Sequence, residues 1–194
     1  EACAPQVRAL GVDCQVLVGD VSDFKLVQVQ AASVLDSWGR IDVLVNNAGI
    51  SQPKPLLEIS EEEWDHTMAI NLKGYFNWCK AVAAPMVERR SGRIINISSV
   101  NAQTGAGPNA VSKVAYVTAK AGALGLTRAL ARELAPHVVV NAACAGAIET
   151  EPTRERFSAR REAMERGIPL GRIGTPEDIA EVVHFLATAN PMYM

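Results

Sequence analysis

Short apolar runs alternate along this chain with longer stretches whose apolar residues recur every three to four positions. Residues 14–18, 41–45, 93–97 and 138–142 have the length and the β-branched content of buried strands. Helical spacing predicts helices over residues 22–38, with Phe24, Val27, Val34, Leu35 and Trp38 inward, and over 61–89 and 115–135. In the last of these, Val117, Leu124, Leu126, Leu130 and Leu134 lie on or beside one stripe. The helix starts are marked by Ser22 as a cap, by a Ser60/Glu63 capping box with Glu61 and Glu62 behind it, and by Thr175-Pro176. The Thr175 helix carries Ile179, Val182, Val183 and Leu186. Strand and helix in regular succession imply an α/β fold, a doubly wound parallel sheet with helices on both faces. Ligands of such sheets bind at the carboxyl ends of the strands. Asp20, Asn46 to Gly49, Ser98, Ser99 and the segment 145–150 fall at those ends.

A chain of 194 residues is one domain, and 48% hydrophobic with 21% charged residues is an ordinary globular composition. A net charge of -2 gives no general attraction to nucleic acid or to anionic membrane, so neither is expected as a partner. No apolar run approaches the roughly twenty residues of a membrane span, and no basic-then-apolar leader opens the chain. Cys3, Cys14, Cys79 and Cys144 are scattered without a Cys-x-x-Cys, which predicts reduced, mostly buried thiols in a cytoplasmic protein. His66, His137 and His184 show no ligand spacing, so no metal is expected, and His66 reads as a helix-surface residue.

The candidate chemistry centres on Tyr116 and Lys120, four apart on one helical face. A free phenol titrates near about 10, too high for easy proton exchange at neutral pH. A neighbouring cation would lower that value and make Tyr116 a general acid or base. Taken alone, the pair reads first as a half-buried phenol beside a solvated lysine. Asp20 reads as a turn or cap carboxylate as readily as a ligand for an adenine amine. The string Asn46-Asn47-Ala48-Gly49 is a tight turn whose glycine permits close backbone approach. Asn71 is a poor helix former inside a long helix and needs local compensation; a bond to a neighbouring helix would supply it. Residues 151–171 form an exposed, charged lid in which arginines and glutamates nearly balance, which favours a solvated helix over an anion site.

In their order, Asp20-Val21, Asn46-Asn47-Ala48-Gly49, Ile70-Asn71-Leu72, Ile97-Ser98-Ser99, Tyr116-x-x-x-Lys120 and Gly146-Ala147-Ile148-Glu149-Thr150 make the chain resemble the short-chain dehydrogenase/reductase family. The resemblance implies a Rossmann fold that uses NAD or NADP to interconvert a small-molecule ketone and a secondary alcohol. It puts Asp20 and Val21 on the adenine side, with Asn47, Ala48 and Gly49 in the cofactor-side loop. Gly146, Ile148 and Thr150 then lie by the carboxamide. It gives Asn71 a local irregularity whose carbonyl holds a water in a proton relay. Ser99 holds the substrate oxygen, with Ser98 as the fallback. Lys120 binds the nicotinamide ribose while acidifying Tyr116. It also implies a homodimer or homotetramer paired through helices 61–89 and 115–135, to which Tyr75, Phe76 and Trp78 add apolar surface.

The family's first strand, its Thr-Gly-x-x-x-Gly-x-Gly turn, its second strand and its last strand find no counterpart in these residues. The glycine-rich turn is the family's pyrophosphate site, and the cofactor-preference signal follows the second strand. The expectation is therefore a piece of a longer protein, which alone would bind cofactor weakly and dissolve poorly. Ala145 stands where the family has proline, and the loop over 100–115 is long. The strings Ile168-Pro-Leu-Gly-Arg172 and Gly174-Thr-Pro-Glu-Asp178 are similar to those of 3-oxoacyl-carrier-protein reductases, and Arg90 matches a basic position used there for the acidic carrier. A carrier-bound acyl group and a generic ketone or sugar-type alcohol both remain open as substrates. The rival reading is a non-catalytic scaffold of the same fold.

Overall fold

Three parallel strands, β1 (Val43–Asn46), β2 (Gly92–Ser99) and β3 (Val138–Ala145), pair in the order β1-β2-β3. The structure, a computed structural model, describes residues 3–107 and 110–190. The register sets Asn46 against Asn96, and Ser98 and Ser99 against Cys144 and Ala145. The strands are parallel, so these residues all lie at one rim of the sheet.

The expected strand over 14–18 does not form. Its apolar residues have no described strand to hydrogen-bond with, so extended backbone there gains no ladder. Val16 and Val18 stay 40% and 75% exposed, and on the open side of β1 Val45 is 40% exposed. Helix α1 (Ala4–Ala9) precedes this segment. Helix α2 (Phe24–Trp38) starts later than expected, because Asp23 and not Ser22 caps it by accepting from Leu26 N. Its buried face is Val27 and Ala31, while Phe24 and Trp38 are largely exposed.

The predicted helix over 61–89 is divided. Helix α3 (Glu61–Met68) opens with the expected Ser60/Glu63 capping box, a π-helical turn follows at Ala69–Lys73, and α4 (Gly74–Glu88) completes it. After the short α5 (Asn101–Thr104), α6 (Val114–Glu133) packs on β2 and β3. Its inward face is broader than the stripe read from the spacing: Ala115, Ala119, Lys120, Ala123, Leu124 and Thr127 are buried, Leu130 and Leu134 pack half-buried on the core, and Val117 and Leu126 are half-buried. The lid region holds two short helices, α7 (Glu151–Ser158) and α8 (Arg161–Arg166), and α9 (Pro176–Thr188) follows.

Alternation along β2 puts helices on both faces. Ile94 joins Cys79, Val82 and Met86 of α4 and Val138 and Val140 of β3 in the apolar core. Arg93 points the other way and donates to the carbonyls of Leu186 and Ala189 at the end of α9. Toward the rim, the face that meets α4 and α6 becomes polar. Asn46 Nδ2 donates to Asn96 Oδ1 at 2.8 Å, and Asn96 Nδ2 donates to Thr127 Oγ1 at 2.9 Å. Of the four thiols, only Cys79 is buried, which corrects the expectation that most would be; Cys3 and Cys144 are exposed. His66 is exposed on α3 as expected.

Truncating Asn96 to alanine would leave Asn46 and Thr127 without that shared partner inside the protein. The expected loss is about 2–3 kcal/mol, the penalty of unsatisfied buried polar groups. Urea denaturation measures it, and a loss below about 0.5 kcal/mol, typical of an ordinary surface change, would contradict the role of this ladder.

Candidate active site

Asn71 organises the rim from inside the π-helical turn. The widened turn brings its fully buried side chain against the loop after β1. Its Oδ1 accepts from Ile50 N at 3.1 Å, and its Nδ2 donates to Ile50 O and Thr67 O, both at 3.1 Å. This is the irregularity expected at Asn71. Its side chain, however, grips a loop rather than a neighbouring helix. The loop runs so close that a Cβ on Gly49 would stand 2.7 Å from Asn71 Oδ1 and 3.6 Å from Lys120 Nζ.

Lys120 is only 3% exposed. Its ammonium donates to Tyr75 Oη at 2.7 Å and to the Ile97 carbonyl at 2.8 Å, which leaves one N–H without a described partner. Burial lowers its pKa to about 8. It lies 5.8 Å from the centre of the Tyr116 ring, so the two side chains share one site. The expected acidification of Tyr116 by this cation is not found. Burial raises the Tyr116 pKa, and only a hydrogen bond from the Ser99 hydroxyl acts against that rise. At the ring-to-ammonium distance seen here, desolvation outweighs attraction, and the phenol is protonated at neutral pH.

The two serines separate clearly. Ser98 Oγ donates to the Lys120 carbonyl at 2.9 Å and ties β2 to α6. Ser99 sits beside Tyr116, and its Oγ also accepts from Asn101 N at 3.2 Å. Ser99, Tyr116 and Lys120 therefore converge at the carboxyl end of β2, with Asn71 behind them. Two residues that the spacing did not single out for the site also belong to it. Tyr75 was read as oligomer surface, yet it is buried and holds Lys120. Asn77 donates to Val21 O at 2.9 Å and so anchors the segment that carries Asp20. The only written signal was their place just after Asn71.

Asp20 caps no strand; its carboxylate accepts from Ser22 N at 2.8 Å, and that bond holds its pKa below the usual carboxylate value. Val21, Asn47 and Ala48 line a cavity of about 190 Å³ together with Gly74, Tyr75 and Trp78. On the third strand's side, Ile148 bridges to Gly174, and Thr150 caps α7 through Thr153. Gly146 follows the last residue of β3. Glu149 is paired with both Arg154 and Arg161, and Arg161 also reaches Glu165 at 3.3 Å, so these lid arginines are neutralised in place. Arg90 lies before the first residue of β2, whereas Ser99 is its last. Gly92 and Ser99 are roughly 23 Å apart along the strand at about 3.3 Å per residue, so Arg90, which precedes Gly92, lies far from the rim that holds Ser99.

A nicotinamide cofactor fits this donor set at its ribose end. One ammonium N–H is uncommitted, a phenol stands nearby, and the Gly49 backbone approaches closely enough to exclude a side chain. Among the described residues there is no cluster of potential metal ligands. No helix among them is long and apolar enough to cross a membrane.

The family described as Enoyl-(Acyl carrier protein) reductase matches residues 1–194. The "3-oxoacyl-[acyl-carrier-protein] reductase FabG" of Staphylococcus aureus (strain Mu50 / ATCC 700699) is 40% identical over 195 residues, covering 100% of this chain and 78% of that protein. The solved structure "Crystal structure of gox2181" superposes with a TM-score of 0.91 at 34% identity, over 96% of this chain and 74% of that one. "ElxO with NADP Bound" does so with a TM-score of 0.83 at 29% identity, over 91% and 71%.

Substituting Gly49 by alanine should force Asn71 from its three bonds and cost about 1–3 kcal/mol, the range for overpacking. Adding Asn71→Ala should then cost less than it does alone, because the two changes disrupt one contact. Additive losses in denaturant titrations would contradict the coupling.

Proposed function

The chain belongs to the short-chain dehydrogenase/reductase family, as a member similar to the 3-oxoacyl-[acyl-carrier-protein] reductases, and from that premise we propose a reductase of 3-oxoacyl thioesters. It is an NAD(P)-dependent oxidoreductase that interconverts a ketone and a secondary alcohol. The convergence of Ser99, Tyr116 and Lys120 at one strand end carries the ketone chemistry, and the 40% identity to a 3-oxoacyl-[acyl-carrier-protein] reductase supports the thioester.

When bound, NADH or NADPH supplies the hydride. Ser99 donates a hydrogen bond to the ketone oxygen and stabilises the charge that develops there. Tyr116, kept protonated by burial, hands its phenolic proton to that oxygen. Lys120 binds the nicotinamide ribose with its free N–H and offsets the charge left on the phenol. Asn71 keeps the Gly49 loop against this group and, through the carbonyl of its π-turn, holds a water that relays the proton outward. Asn47, Ala48 and Gly49 line the cofactor's path, Asp20 and Val21 its adenine side, and Gly146, Ile148 and Thr150 its carboxamide. Residues 151–171 act as a lid held by the Glu149 ion pairs.

The position of Arg90 at the far end of β2 favours, as a second reading, a ketone that carries no acidic carrier. Acetoacetyl thioesters and simple cyclic ketones, each with NADPH and NADH, separate the two; turnover of the cyclic ketone alone would overturn the thioester reading. Tyr116→Phe should reduce kcat by about 10²–10⁴-fold, the usual contribution of a positioned proton donor, with cofactor affinity unchanged by fluorescence titration. Normal turnover by that variant would remove Tyr116 from the mechanism.

A homodimer or homotetramer in the cytoplasm completes the proposal. Phe76 on α4 is 47% exposed and stacks on Phe24, apolar surface suited to a second copy. The four thiols carry no disulfide among the described residues, which suits a reducing compartment. Light scattering should give two or four chains per particle; a monomer would count against the pairing.

A further inference from the structure

A second phenol lies inside the site, and no step above uses it. Tyr75 opens α4 directly after the π-helical turn and is 1% exposed. Its O–H donates to the Ile97 carbonyl at 2.9 Å, so its oxygen lone pairs are left for the Lys120 ammonium, which donates to them at 2.7 Å. The same ammonium lies 4.8 Å from the centre of the Tyr75 ring, where the π-face adds attraction. Burial raises the Tyr75 pKa well beyond the ordinary phenol range, which keeps this group a neutral acceptor.

We propose that Tyr75 is a positioning residue for the reaction: its hydroxyl keeps the Lys120 ammonium charged and fixed inside a site that excludes water. The inference rests on the roles given to Tyr116 and Lys120 above. Tyr116 on α6 and Tyr75 on α4 are the titratable groups that face this ammonium, while β2 offers it the Ile97 carbonyl. Burial alone shifts Lys120, and no described carboxylate from α3, α5 or β3 offsets it. Oxygen acceptors are therefore what favour the charged form, and Tyr75 supplies one of the two.

Tyr75→Phe removes the acceptor and keeps the ring, and Tyr75→Leu serves as the second variant if phenylalanine fails to fold. Two measurements are made on wild type and variant. One is kcat/KM for ketone reduction against pH, which should fall in the wild type as the ammonium deprotonates near about 8. The other is competitive acetylation of Lys120 against pH, read by mass spectrometry, which needs no activity. Both midpoints should move down by about one pH unit in the variant, a tenfold change in the protonation constant. An unmoved acetylation midpoint would overturn the inference. A moved acetylation midpoint in a protein that reduces no ketone would uphold the inference and defeat the functional reading.

Discussion

The Lys120 ammonium lies where water barely reaches, and burial of a charge is tolerated only when oxygen ligands replace the lost hydration. Two elements supply them, α4 through Tyr75 and β2 through the Ile97 carbonyl. For Tyr75 to arrive there, α4 must begin immediately after a widened turn. That turn is where Asn71 bonds the Ile50 backbone at both N–H and C=O. The loop so held brings Gly49 against the same ammonium. The π-turn, the close turn after β1 and α6 thus all meet around one buried charge.

Packing separates an apolar base from a polar rim. At the amino ends of the strands, Met86, Val82, Ile94 and Val138 make a dry apolar core. At the carboxyl ends the same interface is polar: Asn46, Asn96 and Thr127 form a chain of amide and hydroxyl bonds, and Ser98 ties the strand to the helix. Low dielectric strengthens such bonds and raises the cost of any partner left unmade. The small side chains of Ala115, Ala119 and Ala123 let α6 lie close enough for these bonds to form. Rigidity at the rim and burial of the phenol therefore share one cause. Burial also explains why Tyr116 is held protonated, which suits delivery of a proton to a ketone oxygen.

Local chemistry was readable where one interaction dominates. The Ser60/Glu63 box starts its helix as expected, and the apolar runs over 41–45, 93–97 and 138–142 pair as parallel strands with ends shifted by at most three residues. The poor helix propensity of Asn71 called for local compensation, the family resemblance implied an irregularity there, and a π-turn is present. The run over 14–18 misled because a strand depends on a neighbour that its own residues do not describe. In α6, Leu124, Leu130 and Leu134 turn to the core as read, while the spacing did not show that the small face beside them buries a lysine.

Residue identity and spacing carried the order of motifs and the parallel α/β plan, and the family resemblance picked out Ser99, Tyr116 and Lys120, which the fold brings together. They could not establish how charge behaves in that group, because protonation depends on solvent exclusion and on neighbours distant in the chain. Three-dimensional packing made Tyr116 a harder acid to ionise, assigned Ser98 to the scaffold and Ser99 to the site, and brought Tyr75 from the surface into the ammonium's coordination. It also carried Arg90 to the end of the sheet opposite the chemistry. Those outcomes follow from burial and long-range contact, which no local pattern encodes.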